Sequence, residues 1–97
     1  MKRLDVIRSS AADQDLVEIW RYVARDNSDA ADQLLRRCDA RIESLRVNPE
    51  LGERVEPSKV GLRRVVEGNY LIFYQIRDDG LYIVRVLHAA RRWEDLI

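Results

Sequence analysis

The chain has 97 residues, 46% apolar and 35% charged, which suits one small domain with one core and excludes two domains or a disordered segment. Seventeen basic side chains balance seventeen acidic ones; acids lead by two over residues 1–57 and bases by two over 58–97, an asymmetry too weak to name a partner. No apolar run approaches the roughly 18 residues that cross a bilayer, the start MKRLDVIRSS lacks the apolar block of a signal peptide, and the lone Cys38 permits neither an internal disulfide nor a CxxC metal site, so the expected compartment is the cytoplasm.

The first element is a short strand at LDVIR, Leu4 to Arg8, rich in branched residues. SSAAD then reads as a helix start, with Ser10 as N-cap and Asp13 three residues on. Ala12, Leu16, Ile19, Trp20 and Val23 recur at helical spacing and form one face. Asp13, Asp15, Glu18, Arg21 and Arg25 are assigned to the other side. DNSDAA breaks the pattern, with Asn27 or Ser28 available as the next N-cap. A second stripe follows through Ala31, Leu34, Leu35, Cys38, Ile42 and Leu45, and it stops at Asn48-Pro49, where proline pushes the preceding residue out of the helical region. The short break predicts an antiparallel helical hairpin.

PELGERVEPSKVG reads as a loop, and after it the period changes to two. Three strands are predicted at LRRVVE, YLIFYQIR and LYIVRVLH, the last two joined by the turn residues Asp78-Asp79-Gly80. Leu71 to Phe73 is apolar on both faces, which suits the centre of a sheet. RRWEDLI reads as a short helix or a tail in which little is buried, since the core stripes end before Arg91. The whole is one α+β domain over residues 1–97: β-α-α-β-β-β, a helical hairpin packed on a mostly antiparallel sheet.

Most chemistries fail on inspection. The four glycines stand apart, so no phosphate-binding loop exists. One histidine and one cysteine make no metal site without several carboxylates, and Cys38 lies within an apolar stripe where an inert buried thiol is expected. What remains is a cationic set: Arg63, Arg64, Arg85, His88, Arg91 and Arg92. Fifteen of the seventeen cations are arginine, the side chain suited to bidentate pairing with carboxylate or phosphate, although a GC-rich genome gives the same bias. Histidine could supply a proton donor or acceptor near neutral pH. Strict alternation in the last strand, however, puts Arg85 with Ile83 and Leu87 on one face, and His88 with Val84 and Val86 on the other.

DLVEIWRYVARDN, SLRVNPELGERV, GLRRVVEGNYLIFYQI and IVRVLHAARRWEDLI together resemble the ParE/RelE superfamily of toxins from type II toxin–antitoxin systems, over nearly the whole chain. That resemblance implies growth arrest and a cognate antitoxin, ParD-like or other, in a toxin–antitoxin hetero-oligomer. RelE-like members cut messenger RNA on the ribosome, whereas ParE-like members poison DNA gyrase. Leu71 stands where the ribonucleases typically carry arginine, and no tyrosine follows Tyr82, so the chain is similar to the ParE branch. The resemblance implies a non-enzymatic gyrase inhibitor without a cofactor, with Arg63, Arg64, Arg91, Arg92 and Trp93 against the target. Leu16, Ile19, Trp20 and Val23 would lie against the antitoxin. The alternative is a ribosome-dependent endoribonuclease using Arg64, Arg85, His88 and Arg91.

Overall fold

The computed structural model describes residues 3–55, 61–78 and 80–97. Its elements run β1 (Asp5–Arg8), α1 (Ser10–Ala24), α2 (Ser28–Val47), β2 (Glu53–Arg54), β3 (Leu62–Glu67), β4 (Tyr70–Arg77) and β5 (Gly80–His88), with 3-10 turns at Pro49–Leu51 and Trp93–Asp95. The sheet order is β1-β5-β4-β3-β2. β1 runs parallel to β5, and the other neighbours are antiparallel. The expected β-α-α-β-β-β arrangement therefore holds, with β2 added inside the segment read as loop. A two-residue strand is too short for any periodicity to reveal. Residues 56–60 of that loop, and Asp79 of the expected turn, lie outside the described residues. Asp78, which opens the turn, sits at φ 51°, a left-handed conformation that aspartate tolerates.

The N-cap of α1 is Ser9, not Ser10. Its amide still donates to Ile83 O (3.0 Å) as the last rung beside β5, while its Oγ accepts from Ala12 N (2.9 Å) and donates to Val84 O (2.7 Å). One residue thus ends the strand and starts the helix. Asn27 caps α2 by accepting from Ala30 N at 3.0 Å, and Asn48 closes it before Pro49, as the sequence indicates.

β4 is the central strand, and Tyr70 to Tyr74 are buried on both faces. On one face the helices pack through Ala12, Leu16, Leu34, Cys38, Ile42 and Leu45 onto Ile72, Tyr74, Leu81, Ile83 and Val86. On the other lies a second cluster of Val55, Leu62, Leu71, Phe73 and Leu87. Among the described residues no α-helix covers that second layer; Val84, Trp93, Leu96 and Ile97 pack against it. The Trp93 ring lies 5.2 Å from Phe73, tilted by 37°. The tail is therefore part of the packing, contrary to the expectation that the core ends before Arg91. Apolar residues separated by two polar ones carry no strand or long-helix period, so pattern alone does not assign them to a core.

β5 carries a bulge. Phe73 pairs with Arg85 but Tyr74 pairs with Ile83, which leaves Val84 without an opposite residue. The extra residue shifts the alternation: Ile83 and Val86 face the helices, while Val84 and Leu87 face outward. Strict parity, which grouped Arg85 with Ile83 and Leu87, does not hold across it. The bulge lies where β1 has just ended, so β5 has a free edge there. Asp15 of α1 fills the gap. Its Oδ2 accepts from Val86 N (3.0 Å) and Arg85 Nε (2.8 Å), and its Oδ1 accepts from Arg85 Nη2 (2.8 Å). Asp15 is 5% exposed, on the face opposite to the one first assigned to it.

Two expectations for stability follow. Asp15→Ala leaves the partly buried Arg85 cation and the Val86 amide without their partner, so the domain should lose about 3 kcal/mol; denaturant unfolding measures this, and a loss below roughly 0.5 kcal/mol would remove the pair from any central role. Burial, helped by Glu67 and Asp39, pushes the Cys38 thiol up to about 11. At pH 8 the native thiol should therefore stay protonated and resist a thiol-reactive disulfide reagent until denaturant is added.

Candidate functional site

Three surfaces stand around this frame. The first is a groove of about 740 Å³ where α1, α2, the β3–β4 turn and the end of β5 meet. Ile19, Val23, Leu34 and Tyr70 line it, with Arg37, His88 and Arg91 also at its wall. Tyr70 and His88, paired across β4 and β5, touch edge to face with centroids 5.2 Å apart. Burial pushes the Tyr70 hydroxyl above its ordinary range, with Tyr22 and Cys38 adding to the effect, so it stays neutral and acts as a donor or acceptor, not as an anion. His88 Nδ1 accepts from Ala90 N at 3.0 Å, and Arg91 N donates to His88 O at 3.0 Å. The histidine is thus tied into the turn that follows its strand.

The second surface lies on the other flank of the hairpin, a groove of about 470 Å³ lined by Leu16, Val17, Trp20 and Leu35 among charged Arg8, Asp13, Arg21 and Asp39. Trp20 is 36% exposed and Val17 48%. The indole Nε1 donates to Asp32 Oδ1 on α2 at 2.8 Å, which holds the ring across the hairpin while one side stays open. Of the four residues expected against an antitoxin, Leu16 is core, Ile19 and Val23 line the first groove, and Trp20 stands in the second with Leu16.

The outer face of the sheet and the tail form the third surface. The Arg64 guanidinium lies 5.5 Å from the Trp93 ring centre and donates from Nε to Glu53 Oε1 at 2.6 Å. Arg92 is almost fully exposed, with Asp95 at 3.6 Å. Arg63 is elsewhere: its Nη1 donates to Gly52 O (2.8 Å) and Glu50 O (3.3 Å), pinning the segment between α2 and β3. Tyr74 holds the same segment from below, donating to Pro49 O and accepting from Gly52 N. A Cβ on Gly52 would strike the Tyr74 ring and come within 2.8 Å of Arg64 O, so only glycine allows this approach. Arg64 and Trp93 therefore share a surface, Arg92 is exposed at the position before Trp93, Arg91 lines the first groove, and Arg63 is a structural clamp.

The four cations of the ribonuclease alternative divide in the same way. Arg64 belongs to the outer face and Arg85 is bound to Asp15, while His88 and Arg91 share the first groove. Among the described residues no group of three or more histidine, cysteine or acidic side chains is placed to hold a metal, and no helix is long and apolar enough to cross a membrane. Sequence reasoning missed Asp15. The signal was there: position 15 is three before and after a turn-mate, on the same face as Ala12 and Ile19, and only its charge argued for the outside.

Residues 6–93 match the family model described as "ParE toxin of type II toxin-antitoxin system, parDE". The chain is 34% identical over 82 residues to Toxin ParE1 of Mycobacterium tuberculosis, covering 82% of this chain and 84% of that one. To Toxin ParE1 of Caulobacter vibrioides it is 33% identical over 83 residues, covering 84% and 85%. In fold it is similar to a chain of the chromosomal ParDE system of P. aeruginosa (TM-score 0.75, 16% identity, 89% of this chain and 96% of that one). It is also similar to a chain of the E. coli DinJ-YafQ toxin-antitoxin complex (TM-score 0.65, 18% identity, 91% and 94%). With the family match running from residue 6 in β1 to residue 93 after β5, the chain belongs to the ParE toxin family of type II toxin–antitoxin systems.

Proposed function

We propose that this toxin arrests growth by binding DNA gyrase, without cutting RNA, and that a cognate antitoxin silences it by direct contact in the cytoplasm. The observation that carries the first half is the commitment of the cations to the fold. Arg85 spends its guanidinium on Asp15 and a tail carbonyl, and Arg63 on loop carbonyls. RNA cleavage needs convergent positive charge beside a proton donor and acceptor. Here one His88 nitrogen is occupied by a backbone amide, Arg64 lies on the outer face of the sheet, and Arg85, though close by, is neutralised by Asp15 in the groove wall. A binding surface has no such requirement. Arg64, Arg92 and Trp93 offer forked cations beside an aromatic, a combination suited to an acidic surface on a large enzyme.

The second half rests on the hairpin. Its two flanks carry apolar grooves, and the similar fold in the DinJ-YafQ structure comes from a toxin-antitoxin complex. Trp20 is the anchor of choice, because tryptophans that are partly open yet held in place are the usual centres of binding energy. The product is a toxin–antitoxin hetero-oligomer.

Two measurements test this. In cells expressing the toxin, gyrase-trapped DNA breaks should accumulate while messages stay intact, and His88→Gln should still arrest growth. Message cleavage that disappears in a folded His88→Gln protein would favour the ribonuclease alternative instead, since acid–base catalysis is worth ~10²–10⁴ in rate. For the antitoxin, Trp20→Ala should weaken binding by about 2 kcal/mol, or roughly thirty-fold in Kd, by calorimetric titration. An unchanged Kd with a folded domain would move the interface off this flank.

A further inference from the structure

We infer that Asp15 is a positioning residue for the C-terminal tail, acting through Arg85, and therefore sets the geometry of the Trp93 surface from inside the first helix. The target role of that surface rests on the function proposed above; the positioning itself does not.

The contacts form a continuous chain. The Asp15 carboxylate receives Nε and Nη2 of Arg85, both at 2.8 Å. The third donor, Nη1, reaches Leu96 O at 3.0 Å. The guanidinium is planar and rigid, so fixing two of its nitrogens on Asp15 fixes where the third one points. Leu96 is thereby held at a set distance from α1, although the tail lies on the opposite face of the sheet from the helices. Three features make this bridge possible. β1 ends before Arg85, the bulge at Val84 turns the strand at its free edge, and Arg85 is long enough to reach both layers there.

The tail's other attachments to the sheet are apolar packing and the Arg64 guanidinium over Trp93. Its internal bonds are short-range: Trp93 N to Arg91 O, Asp95 N to Arg92 O and Leu96 N to Trp93 O. Trp93, Leu96 and Ile97 pack on the outer cluster, but apolar packing is not directional. Across the described residues, Arg85 Nη1 to Leu96 O is the hydrogen bond recorded between the sheet and the segment after Arg91. A chain-end segment whose apolar packing is joined to the sheet by one directional hydrogen bond can open locally without global unfolding. Loss of that bond should loosen the tail while the helices and sheet stay folded.

The test uses the full chain in a Trp20→Phe background, so that Trp93 is the one tryptophan and reports on the tail. Arg85→Lys keeps a cation beside Asp15, but a compact ammonium cannot span the carboxylate and the Leu96 carbonyl as the fork does. Asp15→Asn is the second variant, which keeps shape and removes the charge. With cooperative unfolding retained, acrylamide quenching of Trp93 should rise roughly two-fold or more and its emission should move to the red. Deleting Leu96 and Ile97 should have a similar effect, and adding Arg85→Lys to that deletion should change the quenching no further. Quenching at the parent level in a folded Arg85→Lys protein would overturn the inference, as would additive effects with the deletion. Growth arrest, measured with Trp20 restored, separates the two layers of the claim. A loosened Trp93 with weakened arrest supports both, whereas a loosened Trp93 with full arrest supports the positioning and removes the tail from the target contact.

Discussion

The buried contact between Asp15 and Arg85 is the constraint on which the arrangement of this small toxin depends. A carboxylate that is 5% exposed is costly to bury unless its lone pairs are filled, and here three donors fill them. One of these, Val86 N, would otherwise be an orphan at the edge of β5 after β1 departs. The other two hold a cation whose charged form is favoured further by that hydrogen bond, against the opposing effect of burial. Such a pair is not a large net source of stability compared with an apolar substitute. Its contribution is to fix orientation. With Asp15 facing the sheet edge, the rotation of α1 about its axis is set: Ala12 and Leu16 go into the core, and Val17, Trp20 and Tyr22 go to the outside.

That rotation decides where the grooves lie. Ile19 and Val23 border the groove beside β5, and Trp20 borders the one beside α2. The hairpin therefore presents an apolar flank on each side, with Asp15 below one of them. On the far side of the sheet, among the described residues, the tail and not an α-helix covers Phe73, Leu71 and Leu87. A chain of 97 residues has little core to spare, so residues proposed to meet a target also have to pack. Trp93 shows the compromise in one side chain: one contact is the Phe73 ring beneath, the other is the Arg64 guanidinium beside it.

Much of this was legible in the sequence wherever a regular period operates. The stripe Ala31, Leu34, Leu35, Cys38, Ile42 and Leu45 is buried as spacing predicts except for the half-buried Leu35, the Asn48-Pro49 stop is where α2 ends, and Tyr70–Arg77 has the bounds read from its alternation. Failures cluster where the period breaks. One inserted residue at Val84 defeats strict parity in β5, a two-residue strand has no period to read, and Trp93, Leu96 and Ile97 pack from an irregular tail. Asp15 failed for a different reason, since charge was weighed above position. Its helical phase was correct for the core, and its partner lies 70 residues away in sequence, which no local pattern reveals. The candidate site was legible as a list of cations and a tryptophan, but not as a geometry. Arg63, Arg64 and Arg91 point to three different places.

The same physics separates the two binding roles proposed for the molecule. The hairpin flanks and the outer tail surface lie on opposite faces of one sheet, so an antitoxin on the former need not cover the latter to change it. Linkage requires only that a partner bind differently to two arrangements of the tail. Asp15 lies in the wall of the groove beside β5 while holding, through one arginine, the carbonyl of Leu96. A partner that competes for that carboxylate would weaken the hold on Arg85, and the tail would gain freedom without being touched.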